Sequence, residues 1–328
     1  MRRMAMSPPR GHPQAAYVGR RVLRFLLSML LLVTATFAMV HVIPGDPVRA
    51  ALGVTASPEL VAARTHELGL DLPLWQQYLR HLRGVLTGDL GTSLASGLPV
   101  AQTIADRLPY TALLALVAFA LVMVIAVPLG MATAVWTRGG RRRSGELLFT
   151  AVSGFFAVVP DFLLAVSLTV VFAVVFPLLP VADVTGVSGP SFYVLPALSL
   201  AIGPAAALAR IVRVEALGVL SADYLRTARA KKLPARLLYL RHALPNLLTG
   251  ALTIGGLLMS GLIAGSVLVE NVFAWPGLGS ALVEGIRGKD YPLVQAVVLL
   301  YGSAVLLVNL AVDVVLGRLD PRSTIRES

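Results

Sequence analysis

Six long runs of apolar residues, at 25–43, 111–136, 147–179, 192–211, 247–269 and 294–316, leave this chain of 328 residues few folds to choose from. A hydrocarbon core about 30 Å thick takes roughly 20 apolar residues as a helix. Inside lipid every backbone N–H and C=O must find its partner within the spanning segment, which favours helices. The third run is longer than one upright helix needs, and Pro160 and Asp161 interrupt it. One tilted or kinked span over residues 149–176 is expected there. The chain therefore reads as an all-α polytopic membrane protein with six transmembrane helices. Its charged residues amount to 14%, against about 25% in a soluble domain.

The charges orient the spans. The stretches 1–24, 137–146, 212–246 and 317–328, together with Arg210, hold 21 of the 28 Lys and Arg, and the alternate stretches hold 7. Basic residues collect in cytoplasmic loops, so both termini are expected in the cytosol. Residues 1–24 read as a disordered cytosolic start and 317–328 as a cytosolic tail. The first run is longer than the apolar part of a signal peptide, and no small-residue cleavage site follows it. It is therefore read as an uncleaved span. The same bias accounts for the net charge of +11, so nucleic acid is not an expected partner. With no cysteine, disulfides and thiolate metal sites are excluded.

Two polar regions stand out. Residues 44–108 form an external region with room for two or three short helices. Residues 212–246 form a basic segment in which a helix is expected over 221–233, with Ser221 as its cap and Asp223 in its first turn. This places Lys232 in helical backbone. Leu225 and Ala228 give that helix an apolar edge, and Arg226, Arg229 and Lys232 a basic stripe. A second helix fits residues 235–244. Gly261 and Gly265 form a small-residue packing pattern in the fifth run. Asp161 is a carboxylate at membrane depth. Such a group is costly unless it faces water or a partner, so it either marks the start of a half-helix, the more favoured reading, or is a candidate for the translocation path. Asn309 and Asp313 are expected to make hydrogen bonds between helices or subunits. The chain has no phosphate-binding loop, no paired metal-ligating histidines and no nucleophile motif. No catalytic, cofactor-binding or metal residue is assigned.

Several motifs carry a family resemblance. DYLRTARAKKL followed by HALPN resembles the cytoplasmic loop of peptide-transporting ABC-importer membrane subunits, with Lys232 where that family has glycine. PGDP, LGLD-P, QY, GDLGTS and PV in the external region, and E-N-V-F-A-W-P-G-L-G and KDYP after the fifth run, resemble the same family. The likeness covers nearly the whole chain after residue 20 and implies a type I importer permease. It implies an ATPase-coupling loop with Glu215, Leu225, Arg226, Thr227, Ala228, Arg229, Lys232, Leu233, His242, Leu244 and Pro245 as its contact residues. It further implies a second homologous permease, usually a different subunit, two cytosolic ATP-binding subunits that use ATP and Mg, and an external substrate-binding protein. The implied place is a bacterial inner or plasma membrane, and the solute a di- or oligopeptide. Nickel or another small solute remains an alternative. So does a stand-alone secondary transporter, although no inverted repeat is visible. On this reading the apolar edge of the 221–233 helix is expected to be buried against an ATPase subunit.

Overall fold

A computed structural model describes residues 13–42, 47–53, 56–140, 142–181 and 189–319. All its regular elements are helices. Helix α1 (Pro13–Val42) leads into three short helices, α2 (Pro47–Leu52), α3 (Pro58–Leu68) and α4 (Leu74–Thr87). The Ser57 hydroxyl caps α3 by accepting the Leu60 N–H at 3.3 Å, and Gly69 closes it in the left-handed region that glycine tolerates. Helix α5 (Val100–Thr137) follows, then the bent pair α6 (Arg143–Val158) and α7 (Asp161–Thr169). A wide π turn, Val170–Val175, extends α7. Helix α8 (Ser191–Ser221), α9 (Asp223–Ala230) and the single turn α10 (Ala235–Leu237) come next. The order closes with α11 (Leu244–Val272), α12 (Leu278–Arg287) and α13 (Tyr291–Leu319).

Among the described residues, five single helices are long and apolar enough to cross a membrane: parts of α1, α5, α8, α11 and α13. The third run is sharper than the tilted or kinked span expected. Its halves α6 and α7 meet at 98°. Proline disfavours helical backbone in the residue before it, and Val159 is accordingly extended at φ −65°, ψ 124°. Three helices also outrun their apolar runs by ten residues or more. α1 begins at Pro13 rather than 25, so residues 13–24 of the start expected to be disordered are helical; α5 begins at Val100 rather than 111, and α8 continues through Arg213 and Glu215 to Ser221. Hydropathy marks the lipid slab, whereas helical hydrogen bonding continues beyond it wherever side chains still pack.

The core is a helix sandwich with α8 at its centre. Leu200, Leu208 and Val212 of α8 are fully buried against Leu114, Val122 and Ala126 of α5 and Leu262 of α11. Gly130 permits the closest approach of α5 to α8, because a Cβ there would lie 2.6 Å from the Ala209 carbonyl oxygen. The prolines inside α5 and α8 (Pro109, Pro128, Pro196 and Pro204) sit within these packed helices, where neighbours compensate for the missing N–H bonds. Helices α1 and α13 form a second layer. Arg21 pairs with Asp313, Gln295 donates to the Thr36 carbonyl at 3.1 Å, and Ser303 reaches Met29. Asn309 accepts the Ser260 hydroxyl at 3.0 Å, so Asn309 and Asp313 both join helices, as expected. The glycine pattern of the fifth run is only half a packing face: Gly265 is crowded by Asp161 and Leu200, while Gly261 faces open space.

Candidate functional site

At one end of the body the basic segment folds into a clip. The Ser221 hydroxyl does not cap the following helix. It donates back to the Gly218 carbonyl at 2.7 Å, and Ala222 turns extended to start α9 at Asp223. Leu225 is wholly buried and Ala228 nearly so, but their partners belong to this same chain: Met131 and Ala134 of α5, Ala216 and Leu220 of α8, and Ala243 and Leu247. The expected burial of this apolar edge against another protein is therefore overturned. The edge anchors α9 to its own body, and Leu233 and Leu244 complete the packing. The Asn246 amide donates to the Tyr224 hydroxyl at 2.8 Å and adds a polar tie to α11.

The outward face carries Thr227, Lys231, Lys232 and Pro245, all exposed. Arg226 and Arg229 have their backbone in α9, and their side chains lie outside the described ones. His242 is half-buried. Glu215, expected in the loop, sits on α8 facing Gly250 of α11, where an added Cβ would meet its carboxylate at 2.5 Å. The second expected helix is also not separate. α10 runs through the π turn Leu238–Ala243 straight into α11. Nearby, Arg213 is buried and bridges Glu146 of α6 at 2.9 Å and the Thr137 hydroxyl of α5 at 3.0 Å.

Lys232 adopts φ 54°. The Leu233 N–H reaches back to the Ala228 carbonyl at 3.4 Å, the closing bond of a Schellman turn. A lysine pays a steric penalty in left-handed backbone that glycine avoids. Lys232→Gly is therefore expected to stabilise the clip by about 1 kcal/mol, the opposite sign from a helical position. Thermal unfolding of the purified protein checks this, and a lower midpoint would refute it.

Midway through the body lies Asp161, in the first turn of α7. Its two carboxylate oxygens stand against two glycines on different helices. A Cβ at Gly203 of α8 would be 3.5 Å from Oδ1, and one at Gly265 of α11 would be 2.9 Å from Oδ2. The missing side chains open a slot between α8 and α11 that admits the carboxylate, and Asp161 remains only half-buried there.

The opposite end is held by two buried carboxylates to which the sequence reading gave no role, although both lie inside motifs it quoted. Glu270, at the end of α11, accepts the Thr111 hydroxyl at 2.8 Å through Oε1. Its Oε2 accepts the N–H groups of Gly279 (2.6 Å) and Ser280 (3.3 Å). Thr111 Oγ1 in turn accepts the Leu278 N–H at 2.8 Å. The first three amides of α12, orphaned in any helix, are thus satisfied by side chains of α11 and α5. Trp275 fills the bend between them and stands edge-on to Tyr193 at 4.6 Å. Asp290 accepts from Ser93 Oγ and from the Leu94 N–H at 3.0 Å. GDLGTS and KDYP, far apart in sequence, therefore meet in one knot. Separately, Arg107 of α5 ties to α12 through the Ser280 hydroxyl at 3.2 Å and Glu284 at 3.0 Å. Beside the knot, α1, α4 and α13 enclose a cavity of about 260 Å³ lined by His41, Gln77, Arg80, His81 and Tyr291. Burial lowers the pKa of the His81 imidazole below its ordinary value, which keeps the ring neutral. The signal that could have exposed both carboxylates is an acid within four residues of the end or start of an apolar run.

Long apolar helices packed around α8, with the bent pair α6 and α7 beside them, make the body of a multi-pass membrane protein. Residues 126–325 match the family described as binding-protein-dependent transport system inner membrane component, and residues 15–116 match its N-terminal region. The chain belongs to this family and is an inner-membrane component of a binding-protein-dependent importer. It is similar to the glutathione transport system permease protein GsiC of Pectobacterium atrosepticum, with 39% identity over 305 residues, 93% of this chain and 97% of that protein. The GsiC proteins of Salmonella paratyphi A (38%) and Escherichia coli strain K12 (36%) match over the same shares.

Proposed function

We propose that this permease moves glutathione or similar short peptides inward, powered by ATP hydrolysis in two cytosolic subunits. A second, homologous permease completes the path, and an external binding protein delivers the solute. The likeness to glutathione permeases over 93% of the chain supports the solute class. The observation that carries the mechanism is the seating of α9. Leu225 is fully buried between the end of α8 and the start of α11. A push on the outward face, through Thr227, Lys232 and Pro245, must therefore move both helices. Those helices flank Asp161 at Gly203 and Gly265. At 1.5 Å per residue, these glycines lie about 25 Å along α8 and α11 from the clip. Closure of the ATP-binding subunits would thus be felt as a change in the α8–α11 slot. The basic residues of the clip add orientation and salt-sensitive attraction. ATP and Mg act in the partner subunits.

Asp161 presents a carboxylate suited to the ammonium group of a peptide. Uptake of labelled glutathione and dipeptides by the reconstituted complex tests the reading. The expected result is ATP-dependent accumulation that falls about tenfold in Asp161→Asn, since one charge-assisted contact accounts for such a factor. Transport of nickel alone would overturn the solute class, and wild-type uptake by Asp161→Asn would remove Asp161 from the path.

A further inference from the structure

One surface feature has no role in this scheme. An open groove of about 660 Å³ runs between the second half of α5 and the segment joining α10 to α11. Its walls include Val127, Met131, Val135 and Leu244, and they are almost entirely hydrocarbon. The sequence explains why the walls stand apart. Pro128 leaves the Val124 carbonyl without its helical donor, and the opposing wall is the widened π turn Leu238–Ala243 rather than a regular helix. At the end nearest the clip the lining becomes amphipathic, with Trp136 on one wall and Tyr239 on the other. These are the aromatic types that settle at a membrane–water boundary.

Cations gather at that mouth. The Arg142 guanidinium lies over the Trp136 ring, 5.2 Å from its centre, and Arg142 is exposed. Arg138 and Arg143 flank it in sequence, and Arg241 is exposed on the π turn of the facing wall. The nearby acid Glu146 is bound to Arg213. A hydrocarbon slot ending in aromatic rings and arginines matches one chemistry: an acyl chain joined to an anionic phosphate headgroup. A protein seam would use the same apolar walls but would not call for cations at one end.

We infer that the groove is a binding site for an anionic phospholipid of the inner leaflet, its acyl chain between α5 and α11 and its phosphate between Arg142 and Arg241. The lipid would then touch the clip's own support, since Met131 and Leu244 also pack against the Leu225 cluster. The leaflet assignment rests on the cytosolic placement of residues 137–146 and 212–246. A single cysteine replacing Gly139, tested with an impermeant label from each side, checks that placement independently of lipid binding.

Native mass spectrometry of the intact transporter complex, titrated with phosphatidylglycerol or with phosphatidylcholine of the same acyl chains, tests the site. Phosphatidylglycerol should bind more tightly. The Arg142→Gln, Arg241→Gln double variant should lose that preference, by up to about thirtyfold for two surface charges. Ala132→Phe, at an exposed position in the groove, should remove one bound lipid of either kind. Equal binding of the two lipids, or a lipid count unchanged by Ala132→Phe, would overturn the inference. Loss of the neighbouring membrane subunit from the Ala132→Phe complex at constant lipid count would show the groove to be a seam between proteins.

Discussion

Glu270→Ala is expected to destabilise the protein by about 3 kcal/mol and to abolish uptake. The substitution leaves the Thr111 hydroxyl and the Gly279 and Ser280 amides without their acceptor, and each buried orphan costs roughly 1–3 kcal/mol. The loss exceeds that of an ordinary surface carboxylate because Glu270 is fully buried. It also strikes position as well as stability, because these bonds fix the start of α12 and hold Trp275 against Tyr110 and Tyr193. Glu270→Gln keeps one carbonyl acceptor and should recover part of the stability. The measurement is the thermal midpoint of the detergent-solubilised complex beside transport by the same preparation. An unchanged midpoint in Glu270→Ala would show that the α12 amides have other partners.

The second large effect is expected at Leu225. Truncation to alanine removes a fully buried side chain from the cluster formed with Met131, Leu220, Leu238 and Leu247, at a cost of about 3 kcal/mol within the range for such sites. The spans do not depend on Leu225, so the chain should still insert. The clip should detach, and uptake should fall while the ATPase subunits remain able to hydrolyse ATP. Ala228→Trp should act in the same direction by overfilling the same cluster. Replacement of exposed Thr227, by contrast, should leave the thermal midpoint unchanged and alter only coupling. If Leu225→Ala transported normally, motion of α9 would not pass through its seat, and the proposed linkage to the Asp161 slot would fail.

The apolar runs were sufficient to read an all-helical membrane body, since the hydrocarbon slab imposes a length and a composition on anything that crosses it. They were poor guides to where helices end. α5 starts eleven residues before its run because its first three turns pack against α12 and α13 through Val100 and Ile104, contacts that hydropathy does not record. The bend at Pro160 was legible as an interruption, but its 98° angle depends on what the two arms pack against. Leu225 and Ala228 were recognisable as an apolar edge. Their partners were not, because Met131 and Ala134 lie some ninety residues away in sequence. The family-like motifs were visible as strings, whereas Ser93 meeting Asp290 is visible only in three dimensions. Lys232 was expected in helical backbone, and its φ of 54° overturns that expectation; glycine, which the family has at this position, is the residue such backbone favours.

The knot between Ser93 and Asp290 also sets a clock. The two residues are 197 positions apart. At a synthesis rate of about 5–20 residues per second, Asp290 is made roughly 10–40 s after Ser93. Throughout that interval the GDLGTS loop waits without the carboxylate that later accepts the Ser93 hydroxyl and the neighbouring Leu94 amide. The order of birth therefore makes this end of the molecule the last to lock: α5 and α8 can pair early, and the final shape around the GDLGTS loop must wait for α13.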